Sequence, residues 1–201
     1  MKKTLIASAI ALLGFTSSAI ADDHMKPHFG FAKVGYVELD IDDMQGFDLD
    51  GFNGELSMDI GQGVFWDFAF TQVDAELEIA GETIEGIKLD VSRIDVGIGY
   101  HTQVHEMVDL YGKLGWNKWK FKALTESTTD NPFTAEVGAR GVLVEGLEYH
   151  AAVGYIDFEE DSETTYTLGL SYNFTKSFAF GVEYEDFGQA DMTSAYLRMN
   201  F

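Results

Sequence analysis

The 201-residue sequence contains no cysteine, which excludes a disulfide framework, a thiol nucleophile and a Cys-ligated zinc. It is also poor in cations, with 13 Lys plus Arg against 34 Asp plus Glu and a formal charge of −21. Nucleic-acid phosphates need Lys and Arg to displace their counterions, so no nucleic-acid partner is expected. The same balance argues against a patch that adheres to anionic lipid. After residue 21 no apolar run approaches the roughly 20 residues a membrane-spanning helix needs. The chain does contain 46% apolar and 14% aromatic residues, too many for a disordered polymer and enough for one folded domain.

Residues 1–21 read as a secretory signal. Lys2 and Lys3 form a positive n-region, Leu5–Phe15 an apolar h-region, and Ala19-Ile20-Ala21 a small-x-small cleavage site. As a membrane anchor this stretch is too short, and without a following cysteine it is no lipoprotein signal. Cleavage takes away two Lys and no acids, so the remaining chain carries −23. Two classes stay open: a soluble exported protein, or one that spans a membrane as a closed β-barrel.

The rest of the chain alternates with period two. Leu147, Tyr149, Ala151, Val153 and Tyr155 are apolar between small or polar neighbours. Phe133 to Leu143, Leu168 to Phe174 and Phe178 to Tyr184 do the same, which is strand patterning with one apolar face. Ten strands are expected, near 29–41, 48–60, 64–77, 86–100, 107–121, 133–143, 147–158, 165–174, 178–186 and 192–201. Gly61-Gln62-Gly63, Glu145-Gly146 and Thr175-Lys176-Ser177 supply tight connections, and these alternate with longer polar ones. The fourth strand changes phase near Arg93, where a β-bulge is expected.

Alternation fits a soluble barrel with an apolar interior as well as a membrane barrel with an apolar exterior, so residue types must decide. The less apolar face is thick with Gly97, Gly99, Gly115, Gly138, Gly154, Gly169 and Gly181, which suits a narrow lumen. The apolar face carries Trp66, Tyr100, Tyr149, Phe174, Phe178 and Phe201 toward the short turns, and Trp116, Tyr155 and Tyr184 toward the other end. Two such girdles mark an outer-membrane barrel. A soluble lipocalin-like carrier would need this aromatic face turned inward.

Several segments carry a family resemblance: Ala32-Lys33-Val34-Gly35-Tyr36, Val96-Gly97-Ile98-Gly99-Tyr100, Glu136-Val137-Gly138-Ala139-Arg140 and Leu170-Ser171-Tyr172-Asn173-Phe174. In order, they resemble the strands of the small OmpA/OmpX-type porin-like outer-membrane β-barrels of Gram-negative bacteria. The last strand, with Ala195, Leu197, Met199 and Phe201 on one face, is similar to the C-terminal assembly signal of such barrels. The resemblance implies an all-β, closed antiparallel up-and-down barrel in the outer membrane. Ten strands are read here, with eight, the number in many relatives, as the alternative. It also implies insertion machinery, periplasmic chaperones, outer-membrane lipid and lipopolysaccharide as partners, and a monomer. The expected organisation is a signal peptide over 1–21, a periplasmic segment over 22–28 and the barrel over 29–201.

Counting up the strands places Lys33, Glu55, Asp95, Lys113, Glu136, Arg140, Glu183 and Arg198 on the lumen face, where charges must pair or recruit water. In the resemblance, Lys33 and Glu55 match a lumen ion pair that gates the barrel. The cluster reads either as a static polar core or as a gated, cation-preferring conduit. No catalytic residue and no cofactor is expected: His24, His28, His101, His105 and His150 all fall at the short-turn end, away from the outer rim where related barrel enzymes keep their histidine. Cleavage after Ala21 exposes Asp22-Asp23-His24, an amine, two amides and an imidazole suited to square-planar Cu(II) or Ni(II). Acidic loops at 42–46, 81–83, 125–131, 159–162 and 189–191 form a solvated rim or bridge to lipopolysaccharide through divalent cations.

Overall fold

A computed structural model describes residues 26–41, 49–79, 82–123, 126–158 and 162–201. The signal-like segment, Asp22-Asp23-His24, loop residues 42–46, Gly81, Thr125 and Glu159-Glu160-Asp161 lie outside the described residues. Eleven strands follow in chain order: β1 Phe31–Ile41, β2 Leu49–Gly61, β3 Val64–Ile79, β4 Glu82–His105, β5 Val108–Ala123 and β6 Glu126–Asp130. They continue as β7 Phe133–Val144, β8 Leu147–Asp157, β9 Ser162–Asn173, β10 Phe178–Asp186 and β11 Ala190–Asn200. All neighbours pair antiparallel, and β1 pairs with both β2 and β11, so ten strands close into a barrel. Ten, rather than eight, is the strand number of the wall.

β6 is the extra strand. It pairs with the upper part of β5, Trp119 to Ala123, while β7 takes the lower part, Val108 to Trp116. Pro132 separates the two, and its carbonyl accepts the Asn117 amide at 2.9 Å. A proline has no N–H for a ladder, so the strand is interrupted where it sits. The segment expected as a loop over 125–131 is therefore largely a strand that lengthens β5 beyond the barrel.

The short connections behave as their residues dictate. Gly61, Gln62 and Gly63 all take positive φ between β2 and β3, and Gly146 does so between β7 and β8. These conformations match the twist of paired strands, and glycine adopts them without steric cost.

The bulge expected at Arg93 is not there. Arg93 pairs with Thr71 on one side and Trp119 on the other in unbroken register. Irregularities lie instead at Asp59/Gly61, Glu76/Glu78, Gln103/His105 and Val142/Val144, near strand ends. Leu89 and Val91 point inward and are buried, whereas Ile94, Val96 and Ile98 point outward and are exposed. The strand keeps its phase while the polarity of its two faces changes along it.

Outside, the wall is apolar: Val34, Ile98, Val137, Leu168, Phe180 and Leu197 are each more than half exposed. Ala195, Leu197, Met199 and Phe201 share this outward face on and after β11. Inside, small and large residues interlock. A Cβ on Gly138 would lie 2.6 Å from the Tyr111 ring, one on Gly181 2.5 Å from Tyr196, and one on Gly99 2.4 Å from Phe65. These glycines let aromatic side chains lie flat across the inner wall.

Gly51 faces Val37 and Val73 across its two ladders, and an added Cβ would meet the Gln72 carbonyl oxygen at 2.0 Å. The three nearest atoms are all backbone of β3, which leaves nothing flexible to yield. Gly51→Val should therefore destabilise the barrel by about 1–3 kcal/mol or more through overpacking. Urea titration followed by heat-modifiable gel mobility reads this; an unchanged midpoint would contradict the packing described.

Candidate functional site

The lumen is filled by three stacked groups of side chains, nearly all from alternate inward positions of the strands, with Phe29 and Phe187 added from just beyond β1 and β10. At the short-turn end Arg198 donates through both terminal nitrogens to Glu148, each bond 2.9 Å long. Both side chains are buried, 4% and 2% exposed. A fork-to-carboxylate pair of this kind satisfies both partners at once. The Phe31 ring lies against two guanidinium groups, Arg140 at 4.9 Å and Arg198 at 5.5 Å. Arg140 also covers Phe29 and donates to the His28 carbonyl at 2.7 Å. Phe29 stacks on His101 with ring centres 3.9 Å apart, and His101 Nδ1 lies 2.8 Å from Asp109 Oδ2.

Above this lies a continuous polar relay. Lys33 Nζ sits 2.8 Å from both Glu55 Oε2 and Glu183 Oε1. Glu183 Oε2 is 3.6 Å from His150 Nδ1, and His150 Nε2 lies 2.6 Å from the Tyr111 hydroxyl. That hydroxyl donates to Glu136 Oε1 at 2.6 Å. Lys113 then stands 3.8 Å from both Glu136 and Asp67. Every cation of this group has two carboxylate neighbours, which is how a charge tolerates a narrow, poorly solvated interior.

A cavity of about 120 Å³ opens within the relay, bordered by Glu55, Asp67, Asp95, Glu136, Glu183 and Glu185 against Lys33, Arg93, Lys113 and Arg140. It is roomy enough for several waters. Among the described residues, Asn53 Oδ1, Asp67 Oδ1 and Asn117 Nδ2 are buried polar atoms along it that make no hydrogen bond to the protein, Asp67 Oδ1 having only the Lys113 ammonium at 3.8 Å.

The long-loop end is sealed differently. Arg93 donates to Asp95 at 2.8 Å and to Glu185 at 3.2 and 3.3 Å, and its guanidinium lies 5.1 Å from the Trp119 ring centre and 5.0 Å from that of Phe187. Around this clamp Val37, Leu39, Leu49, Val73, Val91, Ile156 and Met192 form one buried apolar cluster. The upper lumen is thus packed like the core of a soluble protein.

The eight lumen residues expected from sequence divide among these levels. Lys33, Glu55, Lys113, Glu136 and Glu183 meet in the relay, Asp95 belongs to the Arg93 clamp, and Arg140 and Arg198 hold the lower group. His150, expected at the short-turn rim, instead enters the lumen three residues into β8 and joins the relay. Sequence reasoning passed over Asp67, Arg93, Tyr111, Glu148 and Glu185. Inward parity between outward apolar neighbours marks Asp67 and Glu148 as clearly as it marked Glu55, whereas Glu185, followed by Asp186, has an apolar neighbour on one side only.

The family model described as the outer membrane protein beta-barrel domain matches residues 7–174. No curated protein matches the chain. Among solved structures, the outer membrane protein OprG from Pseudomonas aeruginosa is similar at 12% identity, covering 90% of this chain and 99% of its own, with a TM-score of 0.49. The NanC porin is similar at 10% identity over 86% and 99%, also at 0.49. Ail, the attachment invasion locus protein of Yersinia pestis, is similar at 18% identity over 85% and 97%, at 0.38.

The lower ion pair can be tested directly. Glu148→Gln should cost about 3–5 kcal/mol of barrel stability by leaving Arg198 buried without a counter-charge, whereas Glu148→Leu with Arg198→Met should lie near the wild type. Urea unfolding of the refolded barrel compares the three; equal losses in the single and double variants would contradict this account.

Proposed function

The chain belongs to the outer membrane protein β-barrel domain family, and from that premise we propose that it is a porin-like, envelope-structural barrel, closed at rest. Its lumen can open into a narrow, cation-preferring passage. The observation that carries this reading is the order of the lumen layers. A carboxylate-rich chamber of about 120 Å³ is capped by an apolar cluster clamped on Arg93 and floored by the Arg198–Glu148 pair.

Ions do not cross a packed apolar layer, so the resting barrel holds the two aqueous sides apart. When the cap shifts, the chamber beneath presents more carboxylates than cations, and a desolvated cation is favoured there over an anion. Lys33, shared between Glu55 and Glu183, is the charge that must move or be screened for a cation to pass. In this reading the chain has no enzymatic role and acts as a monomer.

A second reading is a plugged barrel that works only through its surface, as a structural or adhesin-like protein without transport. The contacts of the Arg93 guanidinium with both the Trp119 and Phe187 rings, which also pack edge to face on each other, favour it, because such a cap resists displacement.

Planar bilayer recording separates the two. The refolded wild type should show rare, brief openings, and Trp119→Ala should lengthen them into steady steps. Cation preference in that background should fall several-fold on adding Glu55→Gln. A wild type and a Trp119→Ala variant that are both silent, with heat-modifiability showing folded barrels, would leave the plugged reading standing alone.

A further inference from the structure

Five of the described basic residues, Lys33, Arg93, Lys113, Arg140 and Arg198, are spent on the lumen. Lys26 and Lys176 lie at the short-turn end. Apart from Lys88 on β4, paired with Glu76, three remain: Lys118, Lys120 and Lys122 follow one another at alternate positions of β5, all exposed. Their partners in register show that they share the outward face. Lys118 pairs with Ile94, an outward lipid-side residue, two positions beyond outward Trp116.

Three of the register neighbours of these lysines are hydroxyls. Lys120 stands between Ser92 on β4 and Thr129 on β6, and Lys122 between Asp90 and Ser127. Residues directly opposite in a ladder lie on the same face with Cβ atoms in reach of one another. The extra strand β6 supplies half of this frame, because without it β5 would end in open solvent on that side. The rest of the outer rim has the opposite sign: Glu38 and Asp40 on β1, Asp50 on β2, Asp74 on β3 and Asp157 on β8 are exposed there.

Height adds a second constraint. A strand rises about 3.3 Å per residue at a tilt of about 40°, which puts the three lysines roughly 5, 10 and 15 Å above Trp116. Trp116 and Tyr155 belong to the upper aromatic girdle, which sits at the headgroup level. The lysines therefore span the zone where the outer leaflet keeps its phosphates.

We infer that Lys118, Lys120 and Lys122, framed by Ser92, Ser127 and Thr129, form a phosphate-binding strip. It seats the phosphorylated headgroup of an outer-leaflet glycolipid against one side of the barrel. The inference rests on the outer-membrane reading and goes beyond it. A net charge of −21 argues against any anionic-lipid patch taken over the chain as a whole. The register instead concentrates three cations on one strand, where Asp90 is the one acid directly opposite them among the described residues.

The test titrates the full refolded chain in detergent with diphosphorylated lipid A, read by native mass spectrometry. EDTA is present, so that divalent bridges through the acidic rim do not contribute. The triple variant Lys118→Gln, Lys120→Gln, Lys122→Gln should weaken binding on the order of a hundredfold, each lysine near an anionic surface being worth roughly a factor of five. The corresponding triple Arg variant should bind like wild type, and lipid A stripped of its phosphates should bind wild type as poorly as lipid A binds the Gln variant. Heat-modifiable mobility in each sample shows that the barrel is folded, so a failed strip is distinguishable from a failed barrel. Three results would overturn the inference. One is undiminished lipid A binding by the Gln variant. Another is inorganic phosphate displacing lipid A at equal concentration. The third is a wild type whose lysines instead pair two barrels through the acidic rim, seen as a dimer that the Gln variant loses.

Discussion

Hydrocarbon offers nothing to an unpaired amide, so the seam between β1 and β11 is the constraint on which the rest of this molecule depends. It runs from Phe31 opposite Asn200 to Ile41 opposite Ala190 without a break. Once that register is set, alternation assigns every residue of the wall to one medium. A slip of β1 by one against its neighbours would turn Lys33 into lipid and bring Val34 into the lumen. The penalty for lipid-facing charge makes the observed register the stable one.

The interior then has to accommodate charge in a narrow space, and it does so by stratification. Fork-paired Arg198 and Glu148 close one end, the shared carboxylates around Lys33 and Lys113 fill the middle, and an apolar cap closes the other. Arg93 joins the last two levels, with carboxylates on one side and aromatic rings on the other. A guanidinium suits that position because its plane stacks while its edge still donates.

Most of the wall was legible in the sequence because lipid imposes a single demand on every outward position. All ten strands followed from period-two apolarity, their up-and-down order from the family resemblance, and Gly61, Gly63 and Gly146 announced their turns. Arg93 was misread for an instructive reason. Apolar had been equated with outward, yet Leu89 and Val91 are apolar and inward, because above the bilayer the barrel seals its interior as a soluble protein does. Outward positions there become Asp90, Ser92, Lys120 and Lys122, so the strand holds its phase while the surrounding medium changes. Which lumen charge meets which was beyond the sequence, since strand tilt and stagger set height and neither is written in local pattern. β6 was missed because Glu126–Asp130 is polar on both faces, with no buried side to mark it.

The glycines on the inner wall bear on how such a barrel changes over generations. Tyr111 lies across Gly138, Tyr196 across Gly181 and Phe65 across Gly99. Enlarging the glycine alone overfills the lumen, and shrinking the aromatic alone opens a void. Each pair therefore changes only together, and together with the strand beside it, because the same three Cβ positions also meet the backbone carbonyl oxygens of Ala151, Leu170 and Gly112 at 2.7–2.8 Å. Divergence inside the barrel proceeds in coupled steps, while the lipid-facing side, which asks only for apolarity, drifts one residue at a time. Two homologues could share little outward sequence and still be recognisable by these keyed positions.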